Sequence, residues 1–422
     1  MGILAGDLAF LVAAKGPIFS CKDAHPMNVT WNKVEKWGWR MLMPALLFGG
    51  VAAGYVLLLV LVLRLVGWRK HRSGRPWAWP EGGGWWIGYY GFQLLGGLWS
   101  HNMESWELSL EVKAALIFLP LISALPGRPL LRDFWWSVGW SVTAYLTLRF
   151  ANASWQSLVL GDLSWWRYAR FAGDVHPTYL SLHVAVAWLG LGRYWAGSSP
   201  SWQRTLLLVL LAVSLGMMGS KAGILAAVVV ALLDLALRKR WLSGRMTQPQ
   251  PVWAILLFLG LLGTSGYALS KARFMEMKTV AAVAEQGGAA ASSSTAGRVA
   301  VWVTAVELIV EKPFGVGTGD VTDELMTRYT RDGVTYASER RLNPHNQWLQ
   351  AGVAFGWPGI VLITLALGSW VWTGWRRRDA ALFLTGVLLV LHASVESVLE
   401  VQRGVVFVMW LFVALKSSGD HN

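Results

Sequence analysis

The feature that most narrows the fold is a recurrence of long apolar runs, separated by short segments in which Lys and Arg collect. The runs are Ile3 to Ala14, Leu42 to Val66, Trp85 to Trp99, Val112 to Leu125, Phe134 to Phe150, Thr178 to Ala196, Thr205 to Gly219, Ala222 to Leu237, Val252 to Ser270, Asn346 to Trp372, Ala380 to Ser394 and Gly404 to Leu415. A helix needs roughly 20 apolar residues to cross the hydrocarbon of a bilayer, so these runs predict about twelve transmembrane helices. Lipid offers no partner to a backbone N–H or C=O, which leaves helices as the only plausible form for such segments. The expected fold class is an all-α polytopic membrane protein.

Composition supports this reading. Of 422 residues, 55% are hydrophobic, 28 are Trp and only 14% are charged, against about 25% charged in a soluble domain. The formal charge of +13 would suit a nucleic acid if it lay on a polar domain. Here the basic residues form short clusters between apolar runs, which points to membrane topology and away from a nucleic-acid partner. A lone cysteine, Cys21, allows neither an internal disulfide nor a Cys-rich metal site. The first run has no preceding basic region and no small-residue cleavage site, so it is expected to be a retained first span.

Lys and Arg in short loops stay on the cytoplasmic side. Four such clusters occur, at Arg69, Lys70, Arg72 and Arg75, at Arg128 and Arg132, at Arg238, Lys239, Arg240 and Arg245, and at Arg376, Arg377 and Arg378. Counting spans between them puts all four on one side, with both termini cytoplasmic. Residues 1–270 then form a bundle of about nine spans, residues 271–344 one long outer loop, and residues 345–422 about three further spans with a short tail. The outer loop opens with a flexible tract, Glu285 to Thr295, after which Thr295 can cap an amphipathic helix ending before Pro313. Val299, Trp302, Val303, Val306, Ile309 and Val310 share one face of that helix, which is expected to lie on the membrane or on the bundle.

Polar chemistry collects at the mouth of the tenth span, in RRLNPHNQW, Arg340 to Trp348. Asn343 reads as an N-cap and Pro344 as the first helical residue, which puts His345 in the first turn. There the ring lies against the positive end of a helix dipole, a setting that favours a ring free to accept a proton. The plainer reading is an interfacial histidine bonded to a loop carbonyl. Arg340 and Arg341 flank it and suit phosphate as well as they suit solvent. Lys221, in MGSKAG, is a cation at a helix start capped by Ser220, where the dipole repels it and an anion would compensate. Arg298 opens the amphipathic helix, and position alone leaves it solvated or facing lipid headgroups. His176, in DVHPTYL, precedes another span on the outer side and reads as structural.

Other motifs carry less. GVGTGD, Gly315 to Asp320, looks like a phosphate-cradling loop but lacks a following GK[ST] and is better explained as a turn after Pro313. Asp320, Asp323 and Glu324 could hold a divalent cation, though carboxylates in an outer loop are usually solvated. GTSG, Gly263 to Gly266, mimics an intramembrane serine protease motif with His345 or His392 as base, on four residues of common types. No H-E-x-x-H occurs, so a zinc protease is unsupported.

Taken together, YYGFQLLGGLWSHN from Tyr89, HPTYL, GSKAGILA, GRVAVWVTAVELIVEKPFGVGTGD and NPHNQWLQAGVAFGWPGI resemble the O-antigen ligase and polymerase superfamily, bacterial membrane glycosyltransferases with a Wzy-type C-terminal domain. The resemblance implies a twelve-helix inner-membrane protein with a periplasmic catalytic loop. It implies His345 as catalytic base, and Arg298 and Lys221 as ligands for the pyrophosphate of a polyprenyl-linked glycan, Lys221 standing where arginine is usual. Arg340 and Arg341 are candidate further phosphate ligands, and His176 and Asn346 candidate supporting residues. The expected reaction is metal-independent and inverting and uses no cofactor. It moves glycan to a hydroxyl of the lipid A core, as a ligase does, or of a second lipid-linked glycan, as a polymerase does. A polysaccharide transporter or flippase is the remaining alternative.

Overall fold

The computed structural model describes residues 26–49, 52–70, 79–125, 130–194, 201–241 and 294–416, with Gly260. The expected runs Ile3 to Ala14 and, Gly260 apart, Val252 to Ser270, the tract from Glu285 to Ser293 and the GTSG motif lie outside the described residues, and Thr295, expected as a cap, lies inside a helix that begins at Ser294. Among the described residues the chain is helical with no strand. The helices are α1 (Pro26–Phe48), α2 (Ala52–Lys70), α3 (Gly83–Leu95), α4 (Met103–Lys113), α5 (Ala115–Ala124), α6 (Leu131–Leu160), α7 (Tyr168–Ala172), α8 (Pro177–Tyr194), α9 (Ser201–Met218) and α10 (Lys221–Trp241). The described helices resume with α11 (Ser294–Glu311), α12 (Val321–Arg331), α13 (Thr335–Glu339), α14 (Gln347–Arg377), α15 (Ala380–Ala393) and α16 (Gln402–Lys416). By length and composition α14 is the one described helix able to cross a membrane. Ala52–Trp68, Pro177–Leu191, Trp202–Met218 and Ala380–Ala393 are apolar but shorter.

Three expected spans are corrected. Leu42 to Val66 is two helices, α1 and α2, packed as a hairpin about Gly49. Gly38 of α1 approaches α2 so closely that an added Cβ would lie 2.9 Å from Val60. The charges that hid the part of α1 before Leu42 are paired inside the bundle, Arg40 with Asp133 at 2.9 Å and Glu35 with Arg64. Val112 to Leu125 straddles α4 and α5, which part at Ala114.

The third correction matters most. Asn346 to Trp372 is not one straight span, because α14 breaks at Gly356, whose φ of 65° and ψ of −146° are non-helical. The groups freed at the break are used: Val316 N donates to Val353 O at 2.9 Å, Gly317 N to Ala354 O at 3.0 Å, and the freed Trp357 N–H donates to Pro313 O at 3.0 Å. Only glycine fits there, since a Cβ on Gly356 would meet Pro313 O at 1.8 Å. GVGTGD is therefore a strap over the kink. Its far end holds the segment after α3: Thr318 Oγ1 donates to Gln93 O, Gly319 N donates to Ser100 Oγ, and Asp320 accepts from His101 N and Asn102 N at 2.8–2.9 Å. Asp320 is thus committed to backbone N–H groups and to the His101 ring nitrogen at 2.9 Å, and among the described residues it makes no metal-ligand cluster.

The amphipathic helix exists as α11. Val301, Thr304, Ala305 and Leu308 are buried, whereas Val303, Val306 and Val310 of the face read in the sequence point outward and only Ile309 of that face is buried. The sequence is apolar on both sides, and α14 selects the face with smaller side chains. Helix directions fix the two ends of the bundle. α8, α10 and α16 start near His345: Tyr179 donates to Ser397 O at 3.1 Å, and Gly223 packs on Ser181. α2 starts there too, with Gly54 against Gln402. Arg69, Lys70, Arg238, Lys239, Arg240 and Arg376 to Arg378 stand at the opposite ends of these helices. Arg132 opens α6, whose later residues Tyr145 and Arg149 reach Ala172 and Phe171.

Candidate active site

His345 lies just before α14, not in its first turn. Its φ is 45°, left-handed backbone that a side chain adopts only when its surroundings hold it there. Six hydrogen bonds do so. Asn343 Oδ1 accepts from His345 N at 2.9 Å, which removes Asn343 from capping. Trp302 of α11 donates its indole N–H to Pro344 O at 2.7 Å. Asn346 is the true N-cap, accepting from Trp348 N and Leu349 N. Its own N–H donates to Ser397 Oγ and its Nδ2 to Ser394 O.

The ring faces a carboxylate. His345 Nδ1 is 2.9 Å from Glu396 Oε1, with the glutamate side chain 5% exposed and the histidine 22%. Burial works against ionisation of Glu396, but the hydrogen bond and charge of His345, with His176 and Arg298 nearby, hold its carboxyl below the ordinary value. A proton on Nδ1, donated to Glu396, leaves Nε2 as the acceptor on the open side. Glu396 Oε2 has no hydrogen-bond partner among the described residues.

His176 completes this cluster: burial pushes its pKa down, Glu396 opposes that, and His345 and Arg298 reinforce it. Its Nδ1 accepts from Thr178 N at 3.4 Å at the start of α8. Arg298, in the first turns of α11, is half-buried and close enough to bias both groups. Beside it, Tyr336 packs on Gly297 and carries the Arg340 guanidinium 4.2 Å above its ring. Arg341, with φ 48°, extends to Asp323 at 3.8 Å. Lys221 is exposed at the start of α10, with Ser220 accepting from Gly223 N as the cap pattern predicts. The helix it opens packs on α8, which His176 precedes.

Sequence reasoning missed Glu396 and the loop that carries it. SVESVLE, Ser394 to Glu400, sets two carboxylates and two serines between apolar runs, the same signal that marked Arg340 to Trp348. The loop is anchored from below. Lys113 of α4 bonds Ser109 Oγ at 2.6 Å and Glu400 at 2.7 Å; Gln347 donates to Glu400 at 3.1 Å and to Tyr89 Oη at 3.4 Å, and accepts from Leu399 N at 2.8 Å.

Residues 206–364 match the family model described as O-antigen ligase. No curated protein matches the chain. The matched stretch contains Lys221, Arg298, Arg340, Arg341, His345 and Asn346, while His176 and Glu396 lie on either side of it. Through that stretch the chain is similar to the O-antigen ligase family.

Proposed function

We propose that the protein is a membrane glycosyltransferase of the ligase kind, moving a preassembled glycan from a polyprenyl-pyrophosphate donor to a hydroxyl of the lipid A core or a similar acceptor. The reaction takes place at the periplasmic face of the bacterial inner membrane. The observation that carries this reading is the His345–Glu396 pair, set beside Arg298 and next to a helix start.

With Nδ1 held by Glu396, His345 Nε2 removes the acceptor proton as the hydroxyl oxygen attacks the anomeric carbon. The bond from that carbon to the pyrophosphate oxygen breaks at the same time, so one displacement inverts the centre. Arg298 and Lys221 take up the charge on the departing pyrophosphate, with Arg340 and Arg341 at the rim. Lys221 does so as a point charge without the bidentate fork of arginine. Asn346 holds the base in place through its contacts with the loop at Ser394 and Ser397. These cations suffice for the charge that develops, so the scheme calls for no metal, and activity is expected to survive EDTA.

Deletion of the gene tests the reading. A ligase mutant leaves bare core on the cell surface while lipid-linked polymer accumulates. Core bearing a single repeat unit would establish the polymerase instead. Sidedness has its own test in a Cys21→Ser background: Ser338→Cys is expected to react with a membrane-impermeant thiol reagent added from the periplasm, and Arg378→Cys to stay unlabelled.

A further inference from the structure

We propose that α11 is a membrane-docking helix whose outward ridge seats in the acyl layer of the bilayer beside the candidate active site. Val303, Val306 and Val310, three and four residues apart, are 53%, 49% and 66% exposed, and Phe314 just beyond the helix is 75% exposed. The opposite face is closed against the protein, with Val301, Ala305 and Leu308 buried. A solvated loop helix would turn its charges outward and its valines inward; here both faces are apolar and only one is covered.

What covers the second face follows from continuity. The bond from Trp357 N to Pro313 O sets Phe314 against the start of the spanning half of α14. From there Trp357, Val361 and Leu365 continue at four-residue spacing along that half, all exposed. These residues belong to the one described helix long and apolar enough to cross a membrane. A face that meets lipid at Leu365 and Val361 therefore runs without interruption through Trp357 and Phe314 onto Val310, Val306 and Val303. Glu307 and Glu311 flank one edge of the ridge, and Glu311 is turned to Arg328, which keeps its charge off the apolar strip. Docked this way, α11 holds Arg298 at its N-terminal end near headgroup level, where the phosphates of a lipid-linked molecule lie.

The inference rests on α14 crossing the membrane; the labelling test is independent of the reaction catalysed, and the functional arm rests on the proposed reaction. Single cysteines at Val303, Val306 and Val310, in a Cys21→Ser background, are nitroxide-labelled and the protein is reconstituted into phosphatidylglycerol–phosphatidylethanolamine vesicles. The three ridge labels are expected to relax with dissolved oxygen far more than with a water-soluble nickel complex, whereas a label at Glu339 shows the reverse. Ridge labels that respond to nickel as Glu339 does would overturn the proposal. Labels shielded from both relaxants would also overturn it, in favour of a second copy of the chain covering the ridge. A functional arm uses Val306→Asp with Val310→Asp: the concentration of lipid-linked donor needed in vesicles rises severalfold while the rate in detergent micelles is unchanged. An equal loss in both media would mean a damaged fold in place of lost docking.

Discussion

Arg40 and Arg64, buried on α1 and α2, each meet a carboxylate from another helix, Asp133 on α6 and Glu35 on α1. The guanidinium of Arg40 lies 4.3 Å over the Trp136 ring, and Arg64 also donates to Leu125 O. At the other region of buried charge, Lys113, Glu400 and Gln347 are bonded in series, and the loop they anchor brings Glu396 to His345. The first set joins helix to helix. The second joins helices to a loop, and through the loop to a ring whose other nitrogen makes no hydrogen bond among the described residues. Burial of charge is common to both, so it does not by itself mark a site. What separates them is a titratable atom held in place yet left available.

The largest expected effects test that distinction. His345→Ala is expected to lower glycan transfer by about 10²- to 10⁴-fold, the usual loss for a general base, at normal yield in the membrane. Glu396→Gln keeps the shape but removes the charge that holds the ring proton on Nδ1 and leaves Nε2 free to accept, and is expected to lose on the order of 10²-fold, with a smaller loss for Glu396→Asp. The paired replacement Arg40→Met with Asp133→Leu, by contrast, leaves turnover unchanged, because a buried ion pair replaced as a unit is often neutral. Turnover assays at matched protein level decide it, and a loss of turnover in the α1–α6 double variant would break the comparison.

Lys113→Met comes next. It strands Glu400 in a buried setting, and breaking a buried pair in this way destabilises by about 3–5 kcal/mol. Lys113→Met with Glu400→Gln is expected to recover much of that stability. Thermal unfolding in detergent measures both, and equal melting of the single and double variants would remove the pair from the anchor.

The pH dependence follows from two shifts. The Glu396 carboxyl is held below its ordinary 4.5, with burial opposing and His345 favouring ionisation. A depressed carboxylate contributes stability that is present above pH 4.5 and lost as pH falls through the folded value. The His176 pKa is pushed below 6.5 by burial. Below 6.5 the unfolded chain takes up a proton that the folded one does not, so this contribution also falls with falling pH, but in a higher window. Unfolding temperature is expected to decline in two stages on acidification, with His176→Gln removing the upper stage and Glu396→Gln the lower. A single decline unaltered by both substitutions would count against the cluster.

Much of this was legible beforehand. The periodic apolar runs located most of the described helices because burial in lipid or bundle leaves a long, unambiguous signature. His345 was legible as a polar residue at a helix mouth and Arg298 only through the family resemblance, and the structure brings them to one cluster with His176. Three things were not. The part of α1 before Leu42 carries Glu35 and Arg40, whose partners are far away in sequence. The kink at Gly356 depends on a strap from Pro313 to Gly317 that no local pattern announces. Glu396 lies in a short turn between apolar helices, and only the folded chain shows which histidine it faces. α11 illustrates a different difficulty, since a helix apolar on two faces cannot say from periodicity which face packs.

The smallest expected effect concerns Arg341, and it separates a rim role from a structural one. Its guanidinium reaches Asp323 at 3.8 Å, with the two side chains 66% and 52% exposed. An exposed pair of that length contributes about 0.2–1 kcal/mol at most, so Arg341→Ala should scarcely change the unfolding temperature. Arg340 is a matched control. It is also exposed but stacked on Tyr336, whose ring rests on Gly297 beside Arg298, and an exposed cation over a ring contributes about 0.5–1 kcal/mol. If both arginines line the pyrophosphate path, each alanine variant raises the donor KM at high turnover and low salt, and the effect shrinks as salt screens the rim. If Arg340 acts only through the Tyr336 stack, Arg340→Lys retains less of the function than Arg341→Lys, because lysine keeps the charge but loses the planar contact. A donor KM unmoved in both alanine variants would leave Arg298 and Lys221 as the phosphate ligands and confine the site to the half-buried cluster around His345.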